Sequence, residues 1–126
     1  RGLGDVYKRQ AQDRADITRY GAQHLARRMV SVLLDVGRGL ASTEGDDGPA
    51  AQALRLLHDR LTAELKAAGV VRIEAKGNPF DPSTMEAITT VPATEDHPAG
   101  QVIEEIEAGF MLHDRVLQAS RVVVAA

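Results

Sequence analysis

Two prolines bracket Phe80-Asp81 and fix a rigid turn that presents one aromatic ring, and beyond that turn the chain follows strand spacing. Alternation takes over: Met85, Ala87 and Thr89 fall on one side, Glu86, Ile88 and Thr90 on the other. Gly109 before Phe110 suits a hairpin corner, and Val116-Leu117 and residues 122–124 are short apolar strand segments. Just upstream, residues 70–75 alternate as a first strand, which Lys76-Gly77-Asn78-Pro79 turns. Residues 94–100 form an acidic, turn-rich loop, and residues 101–107 a strand whose charged positions imply one wet face. Residues 70–126 are therefore expected to form a small, mostly β domain.

The preceding chain has a different period. Ile17, Leu25, Met29, Val32, Val36 and Leu40 recur at threes and fours, which predicts a helix over residues 11–40 with an apolar seam one stripe wide. Before Ile17 this segment is almost wholly polar, so an isolated helix would be marginal and calls for a partner chain. Gly21, Gly37 and Gly39 each cost roughly 1 kcal/mol relative to Ala within a helix, unless they permit close approach of another helix. Residues 42–48 form a loop, Pro49 suits the first turn of a second helix, and Gly69 suits its C-terminal cap. The second stripe is Leu54, Leu57, Leu61, Leu65 and Ala68. Two helices on a short connection make an antiparallel hairpin, and one hairpin has nothing to cover its apolar face. Two hairpins from two chains make a four-helix bundle, so burial alone calls for a homodimer. Its interface is expected to hold Leu25, Met29, Val32, Val36, Leu40, Leu54, Leu57 and Leu61. The fold class is α+β: a long helix, a shorter antiparallel helix and a small C-terminal β domain, with residues 11–69 as the helical stem and bundle. Residues 1–10 lack apolar periodicity, carry two glycines in the first four positions, and are set apart as foreign or frayed sequence.

Charge and composition narrow the chemistry. Residues 1–40 hold 8 Lys/Arg against 4 Asp/Glu, and residues 41–126 hold 7 against 14, so a basic arm precedes an acidic head. An acidic head argues against nucleic acid as its target. Cysteine is absent, which removes disulfides and thiolate metal sites and fits a reducing, cytoplasmic setting. No run approaches the roughly 18 apolar residues of a membrane helix, and no signal-peptide pattern is present. His24, His58, His97 and His113 are scattered without ligand spacing, so no metal site is expected. Gly37-Arg38-Gly39 lies in a helical pattern without the Gly-Lys-Ser/Thr of a phosphate loop, so neither nucleotide nor another cofactor is expected to bind directly. Glu104, Glu105 and Glu107 read as the solvated side of a strand rather than an acid/base pair, and Asp114-Arg115 as a turn with a surface ion pair. Nothing in the sequence marks an enzyme.

What remains are features suited to binding. Phe80 between its prolines either anchors an interface or fills the small β core, and Met85 and Ile106 share that ambiguity. The blocks Phe80-Asp81-Pro82, Met85 and Ala87-Ile88, followed by Gly109-Phe110, Asp114-Arg115-Val116-Leu117, Ala119-Ser120, Val122 and Val124, resemble the C-terminal domain of the GrpE family. Upstream, Tyr20-Gly21-Ala22, Leu25-Ala26-Arg27, Val30-Ser31-Val32 and Arg38-Gly39-Leu40 resemble the end of that family's long helix, with a departure at Leu34-Asp35. The resemblance implies a cytoplasmic co-chaperone of protein folding and the stress response. It implies a homodimer that binds the ATPase domain of a DnaK-type chaperone and promotes release of ADP. Carried onto matching positions, it places Phe80, Pro82 and Ile106 at the chaperone, with Arg38 and Leu65 nearer the bundle. Two rival readings are a structural dimerisation module whose β cap binds a different partner, and a small enzyme built on Glu104, Glu105 or Asp114 with His113.

Overall fold

Three helices come first in the computed structural model: α1 (Gly2–Tyr20), α2 (Gln23–Ala41) and α3 (Pro49–Ala67). The structure describes residues 2–126. Arg1, the first of the ten residues set apart above, lies outside them, as does the side chain of Arg19. Helix α1 starts earlier than the expected Ala11, with no proline to interrupt it, although Leu3, Val6 and Tyr7 are all exposed. The long helix expected through residue 40 is present as two helical segments, α1 and α2, joined at Gly21-Ala22. The Gly21 amide still donates to the Ile17 carbonyl at 2.7 Å. The backbone there is so tight that a Cβ on residue 21 would lie well inside 3.0 Å of that carbonyl oxygen. Glycine is what the break requires.

Helix α3 opens with Pro49 at its first turn after Gly48, whose amide donates to Asp46 Oδ1 at 2.7 Å. It closes at Gly69, where φ is +99°, a conformation in which a Cβ is strained. Helices α2 and α3 run antiparallel, with Gly37 against His58 and Gly39 against Leu54. At both glycines a Cβ would meet its nearest neighbour at 3.7 Å, an ordinary van der Waals distance. The close approach therefore does not demand glycine, and their helix-propensity cost is unrelieved. Replacing both, Gly37→Ala with Gly39→Ala, is expected to raise the melting temperature by roughly 5–8 °C, read by circular dichroism. An unchanged midpoint would contradict this.

Six strands follow: β1 (Val70–Arg72), β2 (Met85–Val91), β3 (Val102–Glu107), β4 (Phe110–Leu112), β5 (Arg115–Gln118) and β6 (Ser120–Ala125). They form two three-stranded sheets, one antiparallel in the order β1-β4-β5, the other β2-β6-β3 with β2 parallel and β3 antiparallel to β6. The chain passes between sheets at Ala108-Gly109 and again at Ala119. Those passages touch, because Gly109 lies directly on Ser120.

Each sheet has its own small core. Phe110, Leu112 and Leu117 of the first sheet pack with Val70 against Ala26, Val30 and Leu33 of α2 and Leu65 of α3. The second core gathers Ile73, Ala75, Met85, Val102, Val122 and Val124, with Phe80 and Met111 packed against it. The first core welds the β module to the helices. It uses a stripe of α2 (residues 26, 30, 33) that the sequence reading passed over in favour of the neighbouring seam. Among the described residues no helix is long and apolar enough to cross a membrane.

Candidate protein-binding surface

The C-terminal half of strand β3, residues 105–107, carries its side chains inside out. An ordinary half-buried strand turns apolar residues inward and carboxylates to water. Here Ile106 is 53% exposed, while the Glu105 side chain is 8% exposed. Two register irregularities against β6, between Val102 and Glu104 and between Glu105 and Glu107, produce this turn-out. The inward carboxylates are matched by cations from other elements. Glu105 pairs with Arg72 of β1. Glu107 lies 3.6 Å from Arg121 of β6 and 3.9 Å from Arg38 of α2, and Arg38 also pairs with Asp35. The expected single wet face of β3 is thus corrected: Glu104 is exposed, but Glu105 and Glu107 are drawn inward by their arginines. Arg72 and Arg121 carry no local signal of this role, because their partners lie on other strands.

These pairs rim an open cleft of about 820 Å³ between α2, α3, β1 and β3. Leu33, Leu65 and Phe110 form part of its apolar wall, and Arg38 and Ile106 stand at its edge. Three of the five expected contact residues, Arg38, Leu65 and Ile106, therefore converge here. Leu65 is buried and serves as wall, whereas Arg38 and Ile106 are open to solvent.

Phe80 and Pro82 lie elsewhere. Pro79 bridges Gln101 at the start of β3, so the Phe80 turn sits about 16 Å along the strand from Ile106. Phe80 is half-buried on the second core, its amide donating to the Gly100 carbonyl at 2.8 Å, while Pro82 is exposed. The turn is held by Asp81. Its Oδ1 accepts from the Ser83 hydroxyl at 2.6 Å and the Ser83 amide at 2.9 Å, and its carbonyl accepts from the Met85 amide at 2.9 Å. The Ser83 hydroxyl, then the Ser83 amide, hold the Asp81 carboxyl below its ordinary value of 3.8. A carboxylate with a depressed folded-state pKa adds stability above its unfolded pKa, and that addition fades as pH falls through the folded value. The gap in Tm between the native chain and Asp81→Asn is therefore expected to be constant above about pH 5 and to shrink under more acid conditions. A gap that stays constant on acidification would contradict it.

A second exposed surface lies on the helices. Leu25 and Leu57 are 63% and 64% exposed, Val32 is also exposed, and Met29, Val36, Leu40, Leu54 and Leu61 are half-buried. Val36, Leu57 and Leu61 line a shallow apolar depression edged by Arg60 and Glu64. Helix α2 is thus apolar on two sides: Ala26, Val30 and Leu33, with Met29 beside them, meet the first core, while Leu25 and Val32 stay exposed. Among the described residues, no three His, Cys, Asp or Glu side chains are grouped to hold a metal ion. The Asp114-Arg115 turn is not a self-contained ion pair: both residues reach Tyr20 of α1.

The chain is similar in sequence to known proteins. A family model described as GrpE matches residues 3–126. Protein GrpE of Tetragenococcus halophilus is 34% identical over 125 residues, covering 98% of this chain and 65% of that protein. Protein GrpE of Fructilactobacillus sanfranciscensis is 35% identical over 125 residues, covering 98% and 69%. For Protein GrpE of Lactiplantibacillus plantarum the figures are 35% over 125 residues, 96% and 62%. The chain spans about two thirds of the length of these curated relatives.

Proposed function

The chain belongs to the GrpE family, and from that premise we propose that it is a co-chaperone that binds the ATPase domain of a DnaK-type chaperone and promotes release of ADP. The observation that carries the reading is the inverted C-terminal half of strand β3. An isoleucine is held in water at the mouth of a cleft whose charged rim is already internally paired. Exposing an apolar side chain costs burial energy, and a rigid, exposed apolar anchor beside fixed charges is the form of an interface hot spot. Ile106 and Arg38 supply one contact; Pro82 and the edge of Phe80 supply a second at the far end of β3. Leu65 supports the first from beneath.

The mechanism is linkage rather than bond-making. The chain binds the ATPase domain better with its nucleotide cleft open than closed, and it must then weaken nucleotide affinity by the same factor. A thousandfold weakening corresponds to about 4 kcal/mol of differential binding, which a few well-packed anchors can provide. ADP leaves, ATP rebinds, and the chaperone cycle advances. The chain itself holds no nucleotide and works as a homodimer joined through the bare faces of α2 and α3.

The test is stopped-flow release of a fluorescent ADP analogue from a DnaK-type chaperone, with the chain added at rising concentration. Saturating acceleration is expected, with at least a tenfold higher half-saturating concentration for Ile106→Asp and a smaller increase for Phe80→Ala. Native-like acceleration by Ile106→Asp would remove β3 from the contact. No acceleration by the native chain as a dimer would overturn the function.

A further inference from the structure

The break between α1 and α2 is not left to swivel. Tyr20, the last residue of α1, is gripped by the two-residue turn between β4 and β5 and its flank. The guanidinium of Arg115 lies over the Tyr20 ring at 3.7 Å, and the His113 ring meets it edge-on at 6.0 Å between centroids. The Tyr20 hydroxyl donates to Asp114 Oδ1. Across the break, Arg115 also donates to Gln23 Oε1 at 3.1 Å, and Arg27 Nε donates to the Leu117 carbonyl at 3.3 Å. One hairpin therefore holds both sides of the joint.

The same turn touches the end of α3. The His113 amide donates to the Gly69 carbonyl at 3.1 Å, and the His113 ring occupies the space where a Cβ on Gly69 would stand. His113 takes up a left-handed conformation, φ 54°, at the first position of the turn, as primed hairpin turns require. A histidine there, where glycine or asparagine is easier, places an aromatic ring between the two helix ends.

We propose that the β4–β5 turn is a latch that fixes the direction in which α1 leaves the molecule, through Tyr20 on one side of Gly21 and Gln23 on the other. Three features carry it: a helix break that only glycine permits, a tyrosine directly before it held by three side chains of one hairpin, and a hydrogen bond from that hairpin to the residue directly after. With the latch closed, α1 and the β module move as one body. With it open, Gly21 and Ala22 form a joint. This is independent of what the β module binds.

The absence of cysteine allows clean double labelling. Spin labels at Asp13→Cys, about two turns before Tyr20, and at Glu86→Cys on the exposed side of β2 report the angle by pulsed electron–electron resonance. Labelled chain is diluted in excess unlabelled chain, so that each assembly carries one labelled copy. The native sequence is expected to give one narrow distance distribution. Tyr20→Ala, and independently Arg115→Ala, are expected to widen it at least twofold while the circular dichroism spectrum is unchanged. Arg115 is exposed, so its loss leaves the core intact and decides the matter if Tyr20→Ala does not fold. A distribution of native width in Arg115→Ala would overturn the latch.

Discussion

Gly109→Ala is expected to destabilise the β module by about 3–5 kcal/mol, enough to unfold it near physiological temperature. The residue is not in a left-handed conformation; the constraint is space. A Cβ added there would lie 2.8 Å from the Gln118 carbonyl oxygen, 2.5 Å from Ser120 Oγ, and closer still to the Ser120 amide nitrogen. Two of those three atoms are backbone, and Ser120 is fully buried, so neither can move aside. The substitution also falls where the two sheets exchange chain and where the Gly109 carbonyl accepts from the Ile73 amide at 2.9 Å. Separation of the passages would open both cores together. Urea unfolding followed by circular dichroism measures the loss; a change under about 1 kcal/mol would show that the passages can part without cost.

Leu57→Asp is expected to split the proposed homodimer while leaving each chain folded. Leu57 lines the bare apolar depression with Val36 and Leu61, and its neighbour Leu56 is 71% exposed. In a two-fold interface each substitution acts twice. Two buried carboxylates at roughly 2 kcal/mol each weaken association about a thousandfold. The β core is untouched, since Leu57 packs against neither sheet. Sedimentation velocity at micromolar concentration should show monomer for the variant and dimer for the native chain. A variant that sediments as a dimer would place the interface on other residues, with the exposed apolar positions of α1 next in line.

Much of this was legible in the sequence, and the reasons it was are local. Glycine and proline mark the chain where it changes direction: Pro49 opens α3, Gly69 closes it, and Gly109 stands at the crossing between sheets. The α+β order follows from the shift of apolar spacing from threes and fours to twos. Helix α2 shows where such reading stops. Leu25, Met29, Val32 and Val36 form one helical stripe and Ala26, Val30 and Leu33 another, and both have valid spacing. Periodicity reports that a face is apolar, not what covers it. The β module covers the second stripe and, of the first, Met29 alone packs against the same core.

The candidate site was legible only in part, for a similar reason. Ile106 is recognisable as a candidate, but its exposure depends on two irregularities in the pairing of β3, and the carboxylates these turn inward meet Arg72 and Arg121 on other strands. Gly21 illustrates the converse. Its cost to a helix was evident, but its use required knowing that Tyr20 is seized by a hairpin more than ninety residues on.

The proposed preference of the chain for one state of its partner is measured by titrating it calorimetrically onto the ATPase domain of a DnaK-type chaperone, once nucleotide-free and once saturated with ADP. Tighter binding to the empty domain is expected, by the same factor by which the chain weakens ADP in the reciprocal titration. Equal affinity for the empty and ADP-filled domains would contradict it, because a ligand that does not distinguish two states cannot shift the balance between them.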